Sequence, residues 1–164
     1  MKRVVIVGRG AAGKSTLALR LGTLTGLPVI ELDTVFWRPG LTATPPEEWA
    51  ATQRELARRP AWIMDGDLGP YDVLNVRLRA ADTVIMLDFP LLTCAWRARR
   101  RGRERADFWH WLWTYRRRWG RHVLRQIEVH ARDADVHVLR SQRAVDHFLA
   151  RVAADETAVR PPCS

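Results

Sequence analysis

Residues 8–15 read Gly-Arg-Gly-Ala-Ala-Gly-Lys-Ser. Two glycines, a lysine and a hydroxyl at this spacing suit one task, the holding of phosphate. Gly8 and Gly13 permit backbone turns that a Cβ obstructs, so that successive N–H groups converge on one anion. Lys14 would reach the outer phosphates of ATP, and the Ser15 hydroxyl would ligate Mg²⁺. A helix opening near Lys14 adds the positive end of its dipole. Gly10, Ala11 and Ala12 complete the loop and Thr16 follows it, so the expected nucleotide contacts run from Gly8 to Thr16. The competing reading is a glycine-rich structural turn. Against it stand the apolar run Val4-Val5-Ile6-Val7 upstream and Leu17, Leu21 and Leu24 at helical spacing downstream.

Other groups with chemical potential follow short apolar runs. Asp33 comes after Pro28 to Leu32, where it would orient or deprotonate an acceptor hydroxyl; its alternative is a turn or N-cap role. Trp37 and Arg38 lie close behind and could stack on and clamp an acceptor, although a tryptophan is also ordinary packing material. Asp65 closes the run Trp62-Ile63-Met64 and is the expected partner of the Ser15-bound Mg²⁺. Asp88, closing Ile85-Met86-Leu87, competes for that role. Gly66 favours Asp65, because it leaves room for a ligand to approach.

These residues need a scaffold, and the chain alternates strands with helices. The pattern predicts strands at 3–7, 28–32, 61–64, 83–87 and 136–139. Helices are expected over 16–24, 45–59, 91–101, 107–131 and 142–153, with a frayed tail from Asp155. Thr44-Pro45-Pro46-Glu47 reads as a helix start, with Thr44 as N-cap, Pro45 at the first helical position and Glu47 closing a capping box. Short apolar strands separated by helices imply an α/β fold with a parallel sheet covered on both faces. Ligands then gather at the carboxyl ends of the strands.

Composition narrows the class. At 164 residues and 47% hydrophobic content, one domain with a proper core is expected. No segment reaches the length of a membrane span and no signal peptide is visible, so no membrane partner is expected. Cys94 and Cys163 are too few for a disulfide framework, which fits a reducing cytoplasm. The net charge of +9 comes from 27 basic residues, all arginine except Lys2 and Lys14. Guanidinium forks suit phosphate-rich ligands and nucleic acid alike.

Gly8 to Ser15, Asp65-Gly66 and Asp88-Phe89-Pro90 followed by Arg97 and Arg101 resemble the adenylate-kinase-like P-loop kinases. Leu32-Asp33-x-x-Phe36-Trp37 and the stretch from Arg77 to Pro90 are similar to small bacterial proteins labelled DNA topology modulation proteins. The resemblance covers about residues 1–150. It implies a three-layer P-loop fold whose five parallel strands run in the order 2-3-1-4-5, within one kinase-like domain over 1–154. An acceptor segment would span about 33–60, a short lid about 97–121, and a flexible tail 155–164. Asp65 would then hold Mg²⁺ through water, Arg97 would lie against adenine, Arg101 would touch phosphates and Arg77 would face the acceptor. Arg140-Ser141 falls where such kinases wrap the adenine ring. Asp67 stands where the proteins it resembles carry Asn and is a further expected acceptor contact.

The implied activity is transfer of the γ-phosphoryl group of Mg-ATP to a nucleotide, nucleoside or other hydroxylated small molecule. Lys14, Asp33, Arg97 and Arg101 would be the catalytic residues. A different class of function stays open. Between Arg97 and Arg125, 11 arginines meet only Glu104 and Asp107, a run that suits a lid or a nucleic-acid surface. Phe108, Trp111, Leu112, Tyr115 and Trp119 recur at helical spacing there and read as a packing face. Arg116, Arg117, Arg118 and Arg121 are candidates for phosphate contact. His110, His122 and His130 have no metal-type spacing. A nucleotide-regulated nucleic-acid-binding protein is the alternative to the kinase.

Overall fold

The first strand explains the sheet. In β1 (Arg3–Gly8) the side chains of Val4, Val5, Ile6 and Val7 are all fully buried. Such a strand is apolar on both faces, as a central parallel strand must be. In this computed structural model, which describes residues 1–40, 42–102 and 119–159, β1 pairs in parallel with β5 (Trp62–Asp65) and β6 (Thr83–Leu87). β2 (Val29–Glu31) extends the sheet beyond β5, and β7 (Asp135–Leu139) extends it beyond β6. The order β2-β5-β1-β6-β7 is the expected 2-3-1-4-5 once strands outside the sheet are left uncounted. At the end of β1 a Cβ on Gly8 would come within 2.5 Å of the Leu87 carbonyl oxygen. Glycine there lets the two strands close up just where the loop begins.

Helices cover both faces. On one side α1 (Lys14–Thr25), α5 (Leu91–Arg101) and α7 (Gln142–Val159) bury Leu17, Leu21, Cys94, Phe148 and Leu149 against Ile6 and Ile85. On the other, α3 (Pro46–Ala57), α4 (Leu74–Ala80) and α6 (Arg121–His130) bury Trp49, Leu56, Leu78 and Ile127 against Val5 and Met64. The last helix runs on past Asp155, where fraying was expected, to Val159.

Three local expectations change. The second strand stops at Glu31, and Leu32 opens a short helix, α2 (Leu32–Phe36), that puts Asp33 in its first turn. Behind it Trp37–Arg38 (β3) and Thr42–Ala43 (β4) form a separate antiparallel ribbon. The capping box is absent. Thr44 is buried and its hydroxyl donates to the Phe36 carbonyl at 2.5 Å, so it ties the ribbon and leaves Pro45 as the cap residue. Glu47 and Glu48 still stand in the first turn of α3, where the helix dipole favours them. α4 was not anticipated, because a buried arginine, Arg77, takes the position where a helical pattern demands an apolar residue. The lid expected at about 97–121 lies largely outside the described residues. So do the helix start at Asp107, His110, the aromatic positions before Trp119, Arg116, Arg117, Arg118 and the prolines of the tail.

Candidate active site

β1 delivers the loop to the carboxyl edge of the sheet. Gly8 has φ 142° and Gly13 φ 97°, both in the region that favours glycine. The third positive φ of the loop, 57°, falls on Ala11 and not on Gly10. Gly13 is also the cap residue of α1 and offers no side-chain hydrogen bond, so no side chain competes for the first-turn amides. Lys14 Nζ donates to the Gly8 carbonyl at 3.0 Å and to that of Arg9 at 3.4 Å, which folds the ammonium back over the loop. Ser15 and Thr16 are exposed in the first turn of α1.

The carboxylates assemble beside that ammonium. Asp65 ends β5 in register with Ile6 and Glu31 and is only 4% exposed. Burial raises its pKa above the ordinary value; the Lys14 charge, a hydrogen bond from Ser15 and the Arg77 charge oppose that rise without cancelling it. Its Oδ1 is buried without a hydrogen-bond partner. Asp33 also titrates above its ordinary value. Burial is the main cause, Lys14 opposes it, and the charges of Asp65, Asp67 and Asp72 add to it. Lys14, Asp33, Asp65 and Asp67 therefore share one electrostatic field at the strand ends. An orphaned carboxylate oxygen beside a serine hydroxyl fits a hard divalent cation, and Mg²⁺ typically takes one or two carboxylates together with substrate phosphates. Among the described residues no cluster of three or more His, Cys, Asp and Glu could hold a metal on protein ligands alone.

Gly66, at φ 150°, does something other than leave space for a ligand. A Cβ there would lie 2.9 Å from Leu32 Cβ, so glycine lets α2 start flush against the end of β5. Asp88, the competitor of Asp65, pairs instead with Arg140 at 3.4 Å.

Arg97 reaches back from α5 to the loop. It donates to the Ala12 carbonyl at 2.9 Å and to Gln142 Oε1 at 3.0 Å, and its guanidinium lies 4.8 Å from the Phe89 ring centre. These contacts seat it on the wall of a cavity of about 280 Å³ lined by Ala12, Gly13, Thr16, Trp96, Arg97 and Gln142 among others. Trp96 and Gln142 carry no signal in the sequence, although Gln142 directly follows Arg140-Ser141, and Phe89 is marked there only as part of Asp88-Phe89-Pro90. The role given to Arg101 rests on a side chain outside the described residues. Arg140 is largely exposed and points to Asp88.

The acceptor side is more heavily engaged than expected. Arg38 is ion-paired with Glu48. Trp37 packs edge-on against Phe36 at 4.8 Å and against Tyr71 at 6.2 Å, while keeping part of its ring in solvent. Asp67 accepts from the Gly69 amide at 3.2 Å. Together with Asp72, Leu74, Trp119 and His122 it borders a cavity of about 290 Å³. Arg77 is not brought to this surface. It is fully buried and grips both oxygens of Asp72 at 2.5 and 2.7 Å, Gln53 Oε1 at 3.0 Å and the Gly66 carbonyl at 2.9 Å. Its place is underneath the Asp65–Asp67 turn. Burial alone would raise the pKa of Asp72, but the Arg77 charge and its hydrogen bonds outweigh that and hold it below the ordinary value. Nothing in the spacing of Gln53, Asp72 and Arg77 announces this network. Arg121 is exposed at the start of α6.

No protein-family model matches the chain, and no curated protein matches it significantly. Solved structures do. Shikimate kinase from Acinetobacter baumannii in complex with shikimate superimposes with a TM-score of 0.60 at 18% identity, over 99% of this chain and 96% of that one. Deoxyadenosine kinase from M. mycoides, with dCMP and dCDP bound, gives 0.57 at 14% identity, over 96% and 99%. A gluconokinase from Sinorhizobium meliloti 1021 gives 0.54 at 14% identity, over 96% and 93%. The chain has the P-loop kinase fold. These structures lend no support to the label of DNA topology modulation protein. Among the described residues no helix is long and apolar enough to cross a membrane.

Proposed function

We propose that this chain is a P-loop phosphotransferase that moves the γ-phosphoryl group of Mg-ATP to a hydroxyl of a small molecule. The observation that carries the reading is the convergence of Lys14, Asp33 and Asp65 on the loop after β1, each acting on the charge of the others. The structural neighbours are kinases named for shikimate, deoxyadenosine and gluconate, all small molecules, and agree with it.

Phosphoryl transfer asks little covalent chemistry of the protein, so alignment and charge neutralisation carry the rate. The loop amides and Lys14 would take up charge on the outer phosphates. Arg97, released from the Ala12 carbonyl, lies within reach of the same nucleotide. Asp33 would hold the acceptor hydroxyl in line and take its proton; a carboxylate with a raised pKa is the better base for that step. Ser15 and Asp65 would hold Mg²⁺, which when bound offsets charge between the phosphates. Trp37 and Asp67 would contact the acceptor, and adenine would occupy the cavity walled by Arg97 and Gln142. An adenylate-kinase-like choice of a nucleotide or nucleoside as acceptor is the narrower form of this proposal.

A coupled assay of ADP release over nucleosides, nucleotides and hydroxylated metabolites tests it. Lys14→Ala should abolish turnover while the circular-dichroism spectrum stays that of the parent, because the Lys14 ammonium hydrogen-bonds to two loop carbonyls and to no element of the core. Undiminished turnover in that variant would rule the site out.

A further inference from the structure

A third cavity lies at the β7 edge of the sheet. β7 is the edge strand, and its His137 and Leu139 turn toward α7. α7 answers with Arg143, His147 and Arg151, spaced four residues apart and therefore stacked on one helix face. The space between them measures about 400 Å³ and has an apolar floor of Leu139, Ala144 and Phe148. We propose that this cavity is an anion site, distinct from the phosphate loop, that takes a phosphate-bearing small molecule clamped between Arg143 and Arg151.

The charge pattern supports it. No acidic residue lines the cavity. Arg20, Arg38, Arg77 and Arg140 are each ion-paired, with Asp146, Glu48, Asp72 and Asp88 respectively. Arg143 and Arg151 have no ion pair or hydrogen bond among the described residues. Of the acids on α7, Asp146 is turned away to Arg20, and Asp155 and Glu156 lie about one turn beyond Arg151 and do not line the cavity. Burial and then the Arg151 charge lower the pKa of His137 against the opposing charge of Asp135, and its ring packs 4.9 Å from Phe148. Two guanidinium forks about 12 Å apart along a helix can converge on one diphosphate, and planar forks bind phosphate oxygens bidentately. A pocket of this size flanked by two guanidiniums suits a compact anion better than a strand of nucleic acid. The cavity shares no lining residue with the one walled by Arg97, so its occupancy is independent of the kinase reading.

The probe is inorganic pyrophosphate, titrated into the full chain while the imidazole ¹⁵N resonances of His137 and His147 are followed. Saturable shifts of both are expected. The Arg143→Ala/Arg151→Ala double variant, altered only at exposed positions, should melt like the parent and lose at least about tenfold in affinity. Lys14→Ala should leave this titration unchanged. The proposal is overturned if neither imidazole responds, if the double variant binds as the parent does, or if Lys14→Ala abolishes the shifts. It is equally overturned if a single-stranded oligonucleotide moves these resonances and pyrophosphate does not.

Discussion

Replacing Arg77 with methionine offers the sharpest test of how the site is held. The side chain is wholly buried and its partner Asp72 is 5% exposed, so solvent screening gives no discount. Methionine fills similar volume but leaves the Asp72 carboxylate with only Gln53 and the Leu68 amide as donors. It also strips the Gly66 carbonyl of its donor. Breaking a buried pair from one side costs about 3–5 kcal/mol, against a total stability on the order of 5–15 kcal/mol. Urea unfolding followed by tryptophan fluorescence should show the midpoint falling by roughly 2 M, taking a slope of about 2 kcal/mol/M. Adding Asp72→Asn to Arg77→Met should recover a large part of the loss, since the uncompensated charge is then gone. The same pair carries a pH signature. Asp72 has a lowered folded pKa, so its stabilisation is complete above the ordinary carboxylate pKa and is lost as pH falls through the folded one. The double variant should lack that acid-labile increment. A loss below about 1 kcal/mol for Arg77→Met, within the range of a surface pair, would refute the picture of Arg77 as the clamp beneath the Asp65–Asp67 turn. A variant of parental stability with a raised acceptor KM would instead restore it to the acceptor surface.

Asp33→Asn should lower kcat by about 10²–10⁴-fold if Asp33 takes the acceptor proton. In the parent, activity should fall as pH drops through an Asp33 pKa lying above 3.8, and this acid limb should vanish from the variant's pH–rate profile. Asp65→Asn should raise the Mg²⁺ concentration needed for half-maximal turnover at least tenfold, with little effect on metal-free nucleotide binding measured by calorimetry; an unchanged requirement assigns the metal elsewhere. Ala11→Gly should leave the fold intact and change stability by less than about 1 kcal/mol. Relief of the left-handed backbone is offset by the greater freedom of glycine in the unfolded chain, and a scanning-calorimetry drop of several degrees would contradict this.

The loop and the sheet were legible in the chain itself, because both depend on local signals. Val4 to Val7 has the short, continuous apolar run of a strand buried on two faces, and Gly8, Gly13, Lys14 and Ser15 carry a phosphate-loop pattern in their spacing. The bounds of β6 and α5 follow from equally local patterns. Asp33 and Asp65 could be named as strand-end acids, yet their closeness to Lys14 is a property of strand order, which brings β2 and β5 beside β1. The errors share one cause. Thr44 has the residue type of a cap, but burial gave its hydroxyl to the Phe36 carbonyl instead. Gly66 has the form of a ligand-side opening, but the neighbour it admits is Leu32. Arg77 reads as a surface cation on any hydrophobicity pattern, and only the long-range meeting of α3, α4 and the turn after β5 turns it into a buried clamp. Backbone preference and apolar periodicity act over a few residues and so are written along the chain. The partners of a buried polar group come from distant segments, and tertiary packing alone decides them.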